Sequence, residues 1–371
     1  MVTLRYMIAL ATAILTFSLP LLCGGVHAED VIEDIAQPQV ERTPKLYRSP
    51  SERREAGLGR KLTDWLSVSG LVDVESEYLD YNLSGNKSGE IEDETITTLQ
   101  LGLNFTLSKR VAAEFVFEYE VNSNYSIIDE GILSYEGNAL GLEAGQLYIP
   151  FGEFYSHFVT GPILEFGETR GYALVADYEL SDAIDVFAYG LKSNAEKSGD
   201  SGGTVDWGGG FEYASEDESV KISASYFSDM AETEEQYLED FNNNYQRSVG
   251  GVDVNVLIGR ETYEITAEYL GAVRSFDELD PEENRPWAAN LEAAWFPLND
   301  FQFAARVETS GEVPDEPQWQ YGLSATWLIG YRINLSVDYL YGVYKKDFVF
   351  DDDDNRFDSR HLVAAQLNFI F

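Results

Sequence analysis

Few residues in this chain could make or break bonds. Beyond residue 28 the histidines are His157 and His361, and the single cysteine, Cys23, lies in the apolar start of the chain. A hydrolase needs a nucleophile with a base beside it. Ser156 and His157 are adjacent in sequence, and in an extended segment adjacent side chains point apart. The run Asp351 to Asp354, with Asp358 nearby, offers oxygen ligands for Ca²⁺. It lacks the glycine and the ligand spacing of a defined calcium loop, so a solvated loop tip is the simpler reading. No metal-ligand spacing and no Gly-rich phosphate loop occurs, and the chain is read as a non-enzyme without metal or cofactor. What remains is electrostatics. Asp and Glu number 65 against 25 Lys and Arg, a net charge of -40, and such a field repels nucleic acid.

Those charges are placed by elements of period two. Val363, Ala365, Leu367, Phe369 and Phe371 fall on one face of the last segment, and Ala364, Gln366, Asn368 and Ile370 on the other. Leu99 to Leu107, Val111 to Tyr119, Val252 to Ile258, Tyr263 to Tyr269 and Ile333 to Tyr341 repeat the alternation of apolar with polar residues. The connections alternate too. Short ones (108–110, 137–138, 181–182, 215–218, 259–261, 297–300, 329–331) separate long ones (80–93, 150–168, 193–204, 228–247, 274–286, 345–357). A soluble β-sandwich would also alternate, but short periplasmic turns and long outer loops are the pattern of an outer-membrane barrel. The expected fold is all-β: a transmembrane antiparallel β-barrel of about sixteen strands, with fourteen or eighteen left open. Trp207, Trp287, Trp295, Trp319 and Trp327 fall near strand ends, where aromatic girdles meet the membrane interfaces.

A barrel of that size encloses water rather than a packed core. The residues assigned to its lumen include Asp73, Glu75, Glu114, Glu118, Asp253, Glu264, Glu268, Glu292, Arg306 and Asp338. Individually they keep the lumen wet; together they favour cations. One connection differs from the rest. Residues 150–168, PFGEFYSHFVTGPILEFGE, are aromatic and weakly charged for a surface loop. Folded inward, they would shelter Phe151, Phe154, Tyr155, Phe158 and Ile163 and narrow the channel. The residues expected at such a constriction are Phe151, Glu153, Phe154, Tyr155, His157, Phe158, Glu165, Glu168 and Arg170. An aromatic loop at the membrane edge is the alternative.

Residues 1–28 read as a secretory signal peptide: Arg5, an apolar run from Met7 to Leu22, and Val26-His27-Ala28 as cleavage site. Cleavage would leave the mature chain without cysteine. Residues 29–63 carry three prolines and a basic cluster and read as a periplasmic tail, with a short helix expected over Ser51 to Trp65. The barrel then covers 64–371, and export places it in the bacterial outer membrane.

The stretch 141–178, GLEAGQLYIPFGEFYSHFVTGPILEFGETRGYALVADY, resembles the LbtU-type siderophore porins, most specifically in YIPFG and LEFGETR. The resemblance implies a barrel without a plug domain, linked to uptake of ferric siderophores by facilitated diffusion, and it covers about 64–371. The short, Pro-broken 29–63 departs from members with a longer helical N-terminal segment. Implied partners are outer-membrane lipid and lipopolysaccharide, a small-molecule or ferric-siderophore substrate, and the barrel-assembly machinery through the strand ending at Phe371. A homotrimer is in keeping with sixteen strands. Many ferric siderophores are anionic, so the substrate would be neutral or cationic, or Lys192, Arg170 and Arg306 would offset the acidic field. Two other readings stand beside this one: a general, weakly cation-selective diffusion porin, and a structural barrel with a closed lumen.

Overall fold

The chain is described by a computed structural model over residues 59–83, 90–123, 125–192, 205–233, 247–279, 284–329, 332–345 and 356–371. The signal peptide, most of the basic tail and the Asp351–Asp354 run lie outside the described residues. Strand β1 is Arg60–Thr63. The long strands are β2 (Leu66–Leu83), β3 (Glu90–Thr106), β4 (Val111–Glu120), β5 (Tyr125–Glu136), β6 (Leu140–Tyr148), β7 (Arg170–Ser181), β8 (Ile184–Lys192) and β9 (Val205–Ala214). They continue as β10 (Val220–Phe227), β11 (Gly251–Arg260), β12 (Tyr263–Ala272), β13 (Trp287–Leu298), β14 (Phe301–Gly311), β15 (Trp319–Leu328), β16 (Ile333–Val343) and β17 (Phe357–Ile370). Each pairs antiparallel with its sequence neighbours, and β17 pairs back onto β2, so the sixteen strands β2–β17 close into a barrel without a free edge.

The expected helix over Ser51 to Trp65 is corrected at its end. Residues Arg60–Thr63 form β1 and pair with Leu66, Ser67 and Val68 of β2. The glycines at 57 and 59 weaken a helix there, Gly59 has φ +96°, and the β2 backbone offers an open ladder instead. Strands β2 and β3 also run further than the alternation indicated, so 80–83 and 90–93 are strand rather than loop.

Every strand turns one face outward. Leu101, Phe117, Leu133, Leu174, Leu291 and Leu323 are exposed apolar residues on that face, which only a lipid environment makes favourable over so wide an area. Aromatic pairs mark the two rims. Trp65–Phe105, Trp295–Phe303 and Phe301–Trp327 lie at the end with short turns, and Trp207–Tyr226 and Tyr269–Trp287 at the end with long loops. At the closing seam, Gly70 and Phe371 exchange both backbone hydrogen bonds, at 2.9 and 3.0 Å. The Phe371 ring lies directly over Gly70, where a Cβ would come within 2.2 Å of it.

Candidate functional site: the inward loop and the two walls it separates

The segment between β6 and β7, here L3, is the third long connection and leaves the rim entirely. From β6 it reaches the inner faces of β12 to β16, on the far side of the barrel. It arrives there because the far wall supplies what a loop lacks: acceptors for its backbone N–H groups. The N–H groups of Glu153 and Phe154 donate to Glu268 Oε1 at 2.7 and 3.2 Å. That of His157 donates to Glu292 Oε1 at 2.6 Å. Val159 and Thr160 N–H both donate to Asp338 Oδ2, the latter at 3.2 Å. Ile163 N–H donates to Glu308 Oε1 at 2.7 Å. Carboxylates bonded to N–H groups in a water-poor site make stronger bonds than neutral acceptors.

Apolar contacts seat the loop in two places. Phe151 packs with Phe227, Met230 and Leu270, and Phe158 with Phe296, Leu340 and Leu362. Each ring fills a notch left by a glycine. A Cβ at Gly251 would lie 2.7 Å from the Phe151 ring, and one at Gly322 would lie 2.6 Å from Phe158. Both phenylalanines are fully buried. Arg306, also fully buried, sits beneath: 2.9 Å from Glu308 Oε2, 4.4 Å below the Phe158 ring, and donating to the Thr160 carbonyl at 2.9 Å.

His157 is the centre of the latch. Its Nδ1 lies 2.8 Å from Glu292 and its Nε2 3.1 Å from Glu264. An ionised carboxylate only accepts, so two carboxylate neighbours require both ring nitrogens to carry protons. Burial opposes that charge, but the hydrogen bonds the ring donates to Glu264 and Glu292 outweigh it and push the ring from 6.5 up to about 9. The stabilisation is therefore complete below about pH 6.5 and lost as pH rises through about 9. Wild-type L3 should resist proteolysis at pH 6 and become cleavable near pH 10, whereas a H157Q variant should show a much flatter profile; limited proteolysis across that range checks it. Ser156 donates to Glu292 Oε2 at 2.7 Å, so Ser156 and His157 both serve the anchorage.

The residues expected at a constriction are thus of two kinds. Phe151, His157 and Phe158 hold L3 to the wall. Glu153 is exposed, and Phe154, at φ +50°, and Tyr155 are partly exposed. Glu165 lies in the 3₁₀ turn Ile163–Gly167, and Glu168 follows it; both are partly exposed. Arg170 pairs with Asp129 and stacks on Tyr148, and Arg306 is sealed under L3, so both cations are already spent on local partners.

The residues assigned to the lumen all fall on the inward parity of their strands, and L3 divides them. Glu264, Glu268, Glu292, Arg306 and Asp338 are the anchors or lie directly under the loop. Asp253 is buried beside Glu268. Asp73, Glu75, Glu114 and Glu118 lie on β2 and β4, away from L3. Gln366 Nε2 donates to Asp73 at 2.9 Å and to Glu75 at 3.4 Å, and Gln100 donates to Glu118 at 2.8 Å. The register adds Glu77, Glu94, Asp177, Asp185 and Glu212 to this wall, opposed by Lys221. Alternation alone could have found them.

One contributor was not anticipated. After β10 the chain turns inward through a short 3₁₀ turn, Met230–Glu232, and buries Met230 against Phe151. Asp229 fixes it by accepting N–H bonds from Ala231 and Val249 at 3.3 Å each. The polar residues just beyond hide this turn in the sequence.

A closed sixteen-stranded antiparallel barrel crossed by an inward third loop is the fold of the outer-membrane porins. The structure is similar to the outer-membrane channel DcaP of Acinetobacter baumannii (TM-score 0.60, 13% identity, 84% of this chain and 100% of that one). It is also similar to Salmonella typhi OmpF in its complex with daunomycin (TM-score 0.60, 12% identity, 82% and 97%). The anion-selective porin of Comamonas acidovorans gives a TM-score of 0.59 at 10% identity, over 82% and 99%. At these identities the likeness is one of fold. In sequence the chain is 28% identical to a UPF0422 protein of Coxiella burnetii over 144 residues, 37% of this chain and 31% of that protein. It is 24% identical to a UPF0422 protein of Legionella pneumophila (strain Paris) over 264 residues, 61% and 48%. The chain therefore spans less than half the length of the curated relatives it matches. No family model matches it.

Proposed function

We propose that this chain is a diffusion channel of the bacterial outer membrane that prefers cations. The observation that carries the reading is the division of the inner surface. The carboxylates of β12 to β16 are engaged in holding L3, while those of β2 to β9 line the side that L3 leaves. A wall of carboxylates with few cations opposite lowers the energy of a cation in the passage and raises that of an anion. L3 adds Glu153, which lies within electrostatic reach of Glu212, as do Asp177 and Asp185.

A finer reading is a substrate-selective porin for ferric siderophores. Its support is the likeness of YIPFG and LEFGETR, both at L3, to the siderophore porins. An acidic wall suits a neutral or cationic ferric complex and not an anionic one. Signal-directed export, assembly through the strand ending at Phe371 and trimerisation belong to the same proposal.

Single-channel recording of the refolded mature protein under a KCl gradient, with and without a panel of ferric siderophores, tests both readings. The expected reversal potential has the sign of cation preference. Saturable block by one siderophore supports the finer reading, and ohmic current indifferent to all of them leaves the general cation channel. An anion-sign potential, or no current, overturns the proposal.

A further inference from the structure

The lumen wall opposite L3 is closed to solvent at its short-turn end. Ser69, Leu71, Glu114, Val116, Asn368 and Ile370 have inward parity and form one patch across β17, β2, β3 and β4. All six are buried; Leu71 is 6% exposed and Val116 not at all. A wall that faced only water would not bury them. Leu71, Val116 and Ile370 belong to neither of the apolar clusters that L3 forms. Further up the same strands Glu75, Glu77 and Glu118 are partly open to the lumen, so the cover is local.

The chain itself comes in at this place. β1 pairs with Leu66, Ser67 and Val68, and β3 holds the other edge of β2, so β1 lies in line with the end of β17. Traced backwards from β1, the chain cannot continue along β2, because Phe371 exchanges both backbone hydrogen bonds with Gly70. It leaves the sheet at Gly59, whose φ of +96° suits glycine. On the outward side stand lipid and the Phe371 ring over Gly70. On the inward side Gly59 shares a small cleft with Ser69, Gly102, Asn104 and Glu114. The residues before Gly59 carry what the wall lacks. Within 42–58, Arg42, Lys45, Arg48, Arg53 and Arg54 stand against Glu52 and Glu55, in a chain of net charge -40. Arg53 lies six residues before Gly59; six extended residues span up to about 20 Å, the height of β2 from Ser69 to Glu75. Leu46, Tyr47 and Leu58 add apolar side chains that match Leu71, Val116 and Ile370.

We propose that residues 42–58 fold back onto the inner faces of β17 and β2 to β4, with their cations against Asp73, Glu75, Glu114 and Glu118. A cleft lined by one sign of charge focuses its field on a segment of the other sign. The docked segment narrows the passage from the side that L3 leaves and offsets part of the acidic field there. The docking itself needs only the barrel; its effect on current rests on the channel reading.

The sequence from residue 29 onward contains no cysteine, so an introduced thiol reports access to the patch. L71C and, as a second probe, V116C are each placed in the full mature protein, in a chain lacking residues 42–58, and in a full-length chain carrying R42Q/K45Q/R48Q/R53Q/R54Q. Modification by a charged, water-soluble thiol reagent is timed on the folded barrels in detergent at low salt. Both probes should react roughly thirtyfold faster in the five-glutamine chain, at about twofold per removed charge, and at least as fast again in the shortened one. E212C, at an exposed position of the wall, should react alike in all three. Equal probe rates in the full and shortened chains, or in the full and five-glutamine chains, would overturn the proposal. In bilayers the shortened chain should carry more current and a higher potassium-to-chloride permeability ratio than the full one. Thiol rates as expected with no current from either chain would sink the channel reading and leave the docked segment standing.

Discussion

Replacing Glu292 with alanine should free the middle of L3 and raise single-channel conductance. Glu292 receives the Ser156 hydroxyl, the His157 N–H and the His157 ring, all within 2.8 Å. Removing one partner of a buried charge pair costs about 3–5 kcal/mol, which shifts the ratio of seated to released loop by roughly 100- to 5,000-fold. His157 would keep Glu264 alone, and Arg306 and Glu308 would gain access to water. E292Q preserves shape and can still accept one of the donated bonds, so it should fall between wild type and alanine. The measurement is current amplitude and open-channel noise in planar bilayers, paired with proteolysis of L3. A conductance unchanged in E292A would mean that L3, as held by Glu292, does not limit flow. Deleting residues 153–163 should enlarge the current further, since it removes the Phe158 seat as well.

Neutralising the opposite wall should change selectivity instead of size. The combined variant E77Q/E118Q/E212Q keeps side-chain volume and removes three carboxylates from the inner faces of β2, β4 and β9. The potassium-to-chloride permeability ratio should fall severalfold, with conductance in concentrated salt little altered because ions there screen fixed charge within about 3 Å. E308Q, placed under the loop, should leave the ratio near its wild-type value. If E308Q shifts the reversal potential as strongly as the wall variant, then water and ions reach beneath L3 and the division of the lumen into an anchoring half and a conducting half fails.

These contrasting expectations show where sequence reasoning ends. An approximate strand number and the inward parity follow from local pattern, because a strand fixes the face of each side chain within a few residues, and the aromatic, weakly charged run 150–168 stands out as a loop that needs shelter, inside the barrel or at the membrane edge. The alternation of Val252 to Ile258 with Asp253 and Asn255 needed nothing distant. What local pattern does not carry is which wall a loop will lean on. Asp338 and Val159 are separated by 179 residues, and nothing near Asp338 distinguishes it from Asp73, another inward acid on an amphipathic strand. The two part company only when L3 covers one and not the other. For the same reason Arg306 reads as a lumen cation in the sequence and is a buried strut in the fold. The Met230 turn was hidden by its polar surroundings, and β1 by helix-favouring residues just upstream of Gly57.

The seam between β17 and β2 bears on how the chain acquires its shape. Each other strand pairing joins neighbours in sequence, so its contacts are local and carry a small closure entropy. The pairing of Phe357 with Leu83 and of Ile370 with Leu71 joins segments near opposite ends of the barrel sequence. Loop-closure entropy grows only logarithmically with length, yet this cost arrives in a single step, after a long meander with two exposed edges has formed. L3 cannot find Asp338 until β16 is in place, so the latch and the seam are both late events. The kinetics should then show fast growth of β-structure followed by a slower phase in which proteolytic resistance of L3 and the seating of the Phe371 ring against Gly70 appear, and the rate-limiting topology lies in one joint of the ring.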